Sequence, residues 1–208
     1  MSIQVRKMQS EDLEEVAKVH IQAFPKQFAS RMGNKYVSQM YRYYIDFPTG
    51  IALVAIHSES GDLCGIRAGA GKYLLTDFRK KVALSFLPEL LLKSLTDFLV
   101  FRTLINSVLQ KIKSIFGQRL KGIESGIKKE GTVFISQIIA VEEKYRGDLE
   151  TALALINESE RIAKEMGYQK IRGQVYLNNP RALAFDRAIG FKELFRENGY
   201  CIIEKELK

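Results

Sequence analysis

The chain has 208 residues, 46% of them apolar and 27% charged. That is the balance of an ordinary globular protein and the length of one domain. It gives no sign of a disordered, collagen-like or repeat chain. The formal charge of +8 admits nucleic acid, an anionic membrane or a phosphorylated small molecule as partners. Almost all of the excess, however, lies in residues 77–129, with eleven Lys and Arg against four acids. Two cysteines and two histidines make neither a disulfide framework nor a zinc spacing, and no metal site is expected.

The opening residues Met1–Lys7 have no apolar core of a signal peptide. Leu84–Phe101 is the nearest approach to a membrane span, and Glu89, Lys93 and Asp97 interrupt it. A reducing, cytoplasmic location is the expectation.

In chain order, Ile3–Met8 alternates as a strand. Ser10 is read as the cap of a helix with Leu13, Val16, Ala17, His20 and Ile21 inward, ending at Phe24-Pro25. A second helix is expected over Asn34–Ile45, with Tyr36, Val37, Met40, Tyr41 and Tyr44 on one face. Ile51–His57 and Leu63–Ala68 flank a polar, Gly-bearing turn and read as a hairpin.

The basic segment, residues 73–130, reads as a helical insertion. A short helix uses Phe78, Val82 and Phe86. A long amphipathic one runs through Leu91, Leu95, Phe98, Arg102, Ile105, Leu109, Ile112 and Phe116, closed by Gly117. Residues 117–129 read as a loop. The insertion suits a lid, a dimer interface or a helix lying on an anionic membrane. It carries no nucleic-acid recognition motif.

Val133–Val141 is a β-branched strand. A turn through Tyr145-Arg146-Gly147 opens a helix ending at Met166-Gly167. Lys170–Leu177 is a strand, Asn179-Pro180 starts a helix ending at Gly190, and Lys192–Phe195 and Tyr200–Glu206 are closing strands. A Gly-bearing turn from strand to helix is an anion site, because the helix's first N–H groups are unpaired and its dipole is positive there.

Val141, Tyr145, Arg146 and Gly147, followed one strand later by Asn179, Ala182, Gly190 and Phe191, resemble the paired motifs of the GNAT superfamily of N-acetyltransferases. The likeness spans residues 1–72 and 131–208. Ala23-Phe24-Pro25, Met32-Gly33 and Tyr41 are similar to the opening of bacterial members with a helical insertion before the fourth strand.

The resemblance implies an α/β (α+β) fold in one domain, residues 1–208, with a central mixed sheet flanked by helices. It implies acetyl-CoA as the acetyl donor and a small-molecule amine as acceptor, attacking directly in a ternary complex. Ile139 and Val141 would pair with the pantetheine arm. Arg146, Gly147, Leu149, Thr151 and Ala152 would form the pyrophosphate turn, and Asn179 would touch the arm or order the turn. A backbone N–H near Val141 would meet the oxyanion.

Leu149 and Thr151 stand where the family's loop has glycines, or Glu150 and Ala152 if the loop is one residue longer. Asp186 stands where many members carry a tyrosine that protonates the leaving thiolate. Asp186 and Tyr176 are the catalytic candidates. A non-catalytic module of the same fold, or a membrane-surface protein built on it, is the alternative that these departures motivate.

Overall fold

The computed structural model describes residues 3–71, 74–82, 85–103, 105–106, 133–147 and 149–207. Seven strands form one sheet: β1 (Ile3–Lys7), β2 (Gly50–His57), β3 (Leu63–Ala70), β4 (Val133–Val141), β5 (Lys170–Tyr176), β6 (Lys192–Glu197) and β7 (Tyr200–Glu206), in spatial order β1-β2-β3-β4-β5-β7-β6. Every neighbouring pair is antiparallel except β4 and β5.

Period-2 alternation sorts the two faces. From β2, Ala52 and Val54 join the core beneath α1 (Leu13–Ala23) and α3 (Asn34–Asp46), whereas Ile51, Leu53 and Ala55 join the core beneath α7 (Leu149–Glu165). A short helix α2 (Phe28–Met32) sits between α1 and α3, and α8 (Pro180–Ala188) follows β5.

The inner face of α3 is the one its spacing predicts, with Tyr36, Val37, Met40, Tyr41 and Tyr44 buried. These tyrosines pack rather than line an open surface. Tyr36 meets Phe28, Phe78 and Phe86 edge-on. The Tyr41 hydroxyl and His20 Nδ1 are 3.0 Å apart. His20 is 1% exposed, and burial pushes its pKa down to about 4.

Two further helices, α4 (Leu74–Val82) and α5 (Leu87–Ser94), dock on this layer. Leu74 and Phe78 enter the core. Lys93 Nζ donates to the Arg31 carbonyl at 2.7 Å, and Lys35 pairs with Glu89 at 3.1 Å. Beyond these contacts Leu92, Leu95 and Phe98 are exposed.

Two expectations need correction, and one element, α2, was not foreseen. Gln9, not Ser10, precedes the first helical turn: its N–H donates to Asp12 Oδ2 at 2.7 Å, and Ser10 lies inside that turn. The helix α2 carries no periodic signal, being five residues long. The helix expected through Leu91 is not continuous. It stops after Ser94, and residues 98–103 form a separate helix, α6. Asp97 is the cause, since its Oδ1 accepts from the N–H of Leu99 and of Val100, a capping pattern that starts a helix afresh. Leu109, Ile112, Phe116 and the expected loop 117–129 lie outside the described residues.

Among the described residues no helix is long and apolar enough to cross a membrane, and both cysteines are buried free thiols.

Candidate functional site

The parallel pairing of β4 with β5 is short. Val133, Phe134 and Ile135 face Lys170, Ile171 and Arg172. Beyond them β4 stays with β3 as far as Val141, and β5 stays with β7 as far as Tyr176. The two strands therefore part over Ser136–Val141 and Gly173–Tyr176. A cleft of about 540 Å³ fills the gap.

The free edge of β4 follows from its register. The Glu142 N–H donates to the Cys64 carbonyl at 2.9 Å. Alternate residues of a strand turn their N–H and C=O to opposite edges, so Ile139 and Val141 direct theirs at the cleft. The register with β3 slips between Ala68 and Gly69. This bulge adds Gln137 to β4 and turns it toward α3, where it accepts a hydrogen bond from the Tyr44 hydroxyl.

The turn at the open end is tied down from three sides. Tyr145 Oη donates to Asp62 Oδ2 at 2.7 Å, and Lys144 Nζ lies 3.0 Å from the same oxygen. These bonds, Tyr145 first, hold the Asp62 carboxyl down at about 2. Arg146 Nε donates to the Val141 carbonyl at 3.1 Å, folding the guanidinium back over the end of β4. Gly147 then takes φ +109°, with open space where a Cβ would stand. That left-handed backbone is where glycine costs least. The helix α7 begins at Leu149, its side chain 57% exposed at the cleft mouth.

Of the residues singled out from the sequence, Ile139, Val141, Arg146, Leu149, Ala152 and Asn179 line the cleft. Gly147 shapes the turn but is not in the lining. Thr151 is 1% exposed and lies against the sheet: a Cβ on Gly65 would stand 2.9 Å from its Cγ2. Asp148 lies outside the described residues. Asn179 caps α8 by accepting from the Ala182 N–H at 3.2 Å, with Pro180 in the first helical position. It both caps and borders the cleft.

Asp186 and Tyr176 also line it. The Asp186 carboxyl is half-buried on α8. Burial pushes it up to about 6, against the opposing pull of Arg67. Tyr176 packs on Tyr200 across β5 and β7, ring centroids 4.4 Å apart. The Tyr200 hydroxyl is pushed up to about 12, mainly by burial. Cys64 is a core residue, its thiol donating to the Ala55 carbonyl at 3.2 Å.

Sequence reasoning missed Arg67, which enters the cleft from β3. Its signal was present as the single charge in Leu63–Ala70, an otherwise apolar strand. Among the described residues no cluster of His, Cys, Asp and Glu that could hold a metal occurs.

No protein-family model and no curated protein sequence matches the chain. Solved structures do. A paia N-acetyltransferase from Thermoplasma acidophilum, crystallised in complex with coenzyme A, superposes with a TM-score of 0.58 at 15% identity, over 99% of each chain. An acetyltransferase of the GNAT family from Staphylococcus aureus gives 0.59 at 13% identity, over 100% of both. A spermidine N-acetyltransferase chimera from Vibrio cholerae gives 0.60 at 12%, over 100% of this chain and 96% of its own. At such identities the likeness is one of fold, and it runs the full length of the chain. With its seven-stranded mixed sheet, the parting of β4 from β5 and the helix entered from the end of β4, this chain has the GNAT acetyltransferase fold.

Proposed function

We propose that the protein is an N-acyltransferase that moves an acetyl group from acetyl-CoA to a small-molecule amine, within one domain whose residues 73–130 are an insertion. The observation that carries this reading is the parted pair β4–β5, with the N-terminus of α7 at its open end.

The residues fit the thioester's carrier. The N–H and C=O of Ile139 and the N–H of Val141 have no strand beside them and suit the amides of a pantetheine arm, while the Val141 carbonyl already accepts from Arg146 Nε. Arg146, Leu149, Ala152 and the first turn of α7 border the end where unpaired N–H groups and a helix dipole favour a pyrophosphate. Leu149 in place of a loop glycine is tolerable because its side chain stands out at the mouth. Asn179 borders the arm from α8.

When bound, acetyl-CoA supplies an activated acetyl group. The chain's own part is to bring an amine against it, which converts a bimolecular step into one between fixed neighbours. A backbone N–H on the open edge of β4 is placed to stabilise the developing oxyanion. Asp186, with a carboxyl near neutrality, suits proton transfer at physiological pH better than an ordinary aspartate does. Tyr176 borders the same cleft but is the weaker candidate, being 44% exposed at its rim. Two buried free thiols suit a reducing, cytoplasmic setting.

Calorimetric titration with acetyl-CoA is the test. Micromolar binding, followed by thiol release with an amine, supports the enzyme. Binding without turnover over a broad acceptor panel favours a non-catalytic module, the reading that Leu149 and Thr151 motivate. Failure to bind at millimolar concentration removes the acyltransferase reading.

A further inference from the structure

Arg67 has no part in the account above. It lies midway along β3, level with Ile139 of β4. It is 3% exposed and lines the cleft. Among the described residues it makes no ion pair, and its Nε is buried without a hydrogen-bond partner. Burial lowers the guanidinium only to about 10, so it stays cationic at neutral pH. A buried charge normally has a paired, hydrogen-bonded partner, because taking it out of water is costly otherwise.

Two carboxylates act on Arg67 from a distance, Glu160 on α7 and Asp186 on α8. Glu160 is already engaged, with Lys205 Nζ on β7 at 2.7 and 2.9 Å from its two oxygens. Asp186 makes no ion pair with Arg67, and its acid form is favoured by its surroundings. The cleft thus presents a cation whose donors lack an acceptor, beside the apolar Ile156, Phe185 and Phe191. A planar guanidinium in this state matches the two coplanar oxygens of a carboxylate.

We propose that the cleft receives a small molecule bearing a carboxylate, and that Arg67 holds this carboxylate as a bidentate pair. The inference names a ligand class for the same cleft and rests on the acyl-transfer reading for its role in turnover. The carboxylate arrives on the acyl group of the thioester or on the amine acceptor. The ionisable side chains that line the cleft are Arg67, Arg146, Tyr176, Arg181, Asp186 and Tyr200; Glu160, paired with Lys205, acts on Arg67 from outside that lining.

Matched pairs of ligands test it by calorimetry on the full chain. Malonyl-CoA is set against acetyl-CoA, and alanine against alaninamide with coenzyme A present. The expected result is a preference of tenfold or more for the carboxylate member of one pair. It is erased in R67Q and partly kept in R67K, with circular dichroism checking that both variants fold. Preference within the first pair puts the carboxylate on the acyl group, and within the second on the acceptor. Equal binding within both pairs overturns the inference, as does a preference that survives in R67Q. Should the unaltered chain bind no coenzyme A species, the acyl-transfer reading fails by itself. The inference is then decided by succinate against succinamide: a tenfold preference sensitive to R67Q sustains it, and equal binding ends it.

Discussion

Tyr44 on α3 and Gln137 on β4 are joined by a hydrogen bond that links the helical layer to the bulge at the edge of the cleft. The tyrosine is 1% exposed, and burial raises its pKa far above the ordinary value, so it remains a neutral donor. The bond couples the packing of α3 to the aim of a residue in the cleft wall.

Tyr44→Phe removes that donor and keeps the ring. A net hydrogen bond contributes about 1 kcal/mol. The expected outcome is a loss of that size in urea unfolding, with a fall in turnover that exceeds any change in coenzyme A affinity. Equal falls in both would show that Gln137 is not held by this bond alone.

Arg146→Glu places a negative charge where an anion is expected and frees the Val141 carbonyl. Coenzyme A affinity should fall at least tenfold, about 1.4 kcal/mol. Pantetheine, which lacks the pyrophosphate, should lose much less. Titration with both ligands separates the two effects.

His20 gives a pH signature. Its pKa falls from 6.5 unfolded to about 4 folded, so the unfolded chain binds the extra proton. The stability it contributes is complete above pH 6.5 and lost as pH falls toward 4. The loss is about 3 kcal/mol. His20→Gln should remove that slope from urea midpoints measured between pH 7 and pH 4, whatever it costs at pH 7.

Asp186 has the opposite sign. Its folded pKa, about 6, lies above the ordinary 3.8. Its contribution is therefore complete below about pH 4 and lost as pH rises through 6. For a half-buried group the change is about 2 kcal/mol. Comparison of Asp186→Asn with the parent should show the difference shrinking toward acid pH. The two residues titrate over the same range with opposite slopes, so only the single variants expose either one.

The sequence made the elements legible wherever one residue's neighbours in the chain decide its surroundings. Period-2 alternation placed β1, the Gly-bearing turn between two apolar runs placed β2 and β3, β-branched residues placed β4, and the spacing of Tyr36, Val37, Met40, Tyr41 and Tyr44 gave the buried face of α3. Asn179-Pro180 announced a helix start, and Arg146-Gly147 the turn before α7. What escaped depends on distant partners. The bulge at Gln137 is a mismatch between two strands and cannot be seen in one. Thr151 occupies a slot opened by Gly65, so its position near the helix start did not bring it to the cleft. Arg67 was one charge in an apolar run, and its meaning rests on α7 and α8 closing over it.

The brevity of the β4–β5 ladder has a mechanical consequence. Among the described residues, three register pairs form the seam between a four-stranded panel, β1 to β4, and a three-stranded one, β5 to β6. Away from that seam the panels share a core that includes Ile162 and Ala163 of α7, and the Glu160–Lys205 pair ties α7 to β7. A long ligand lying in the parting acts as a splint, bonded to one panel by backbone and pressed against the other. Its arrival should slow amide exchange in both panels together, including residues on β6 that it never touches.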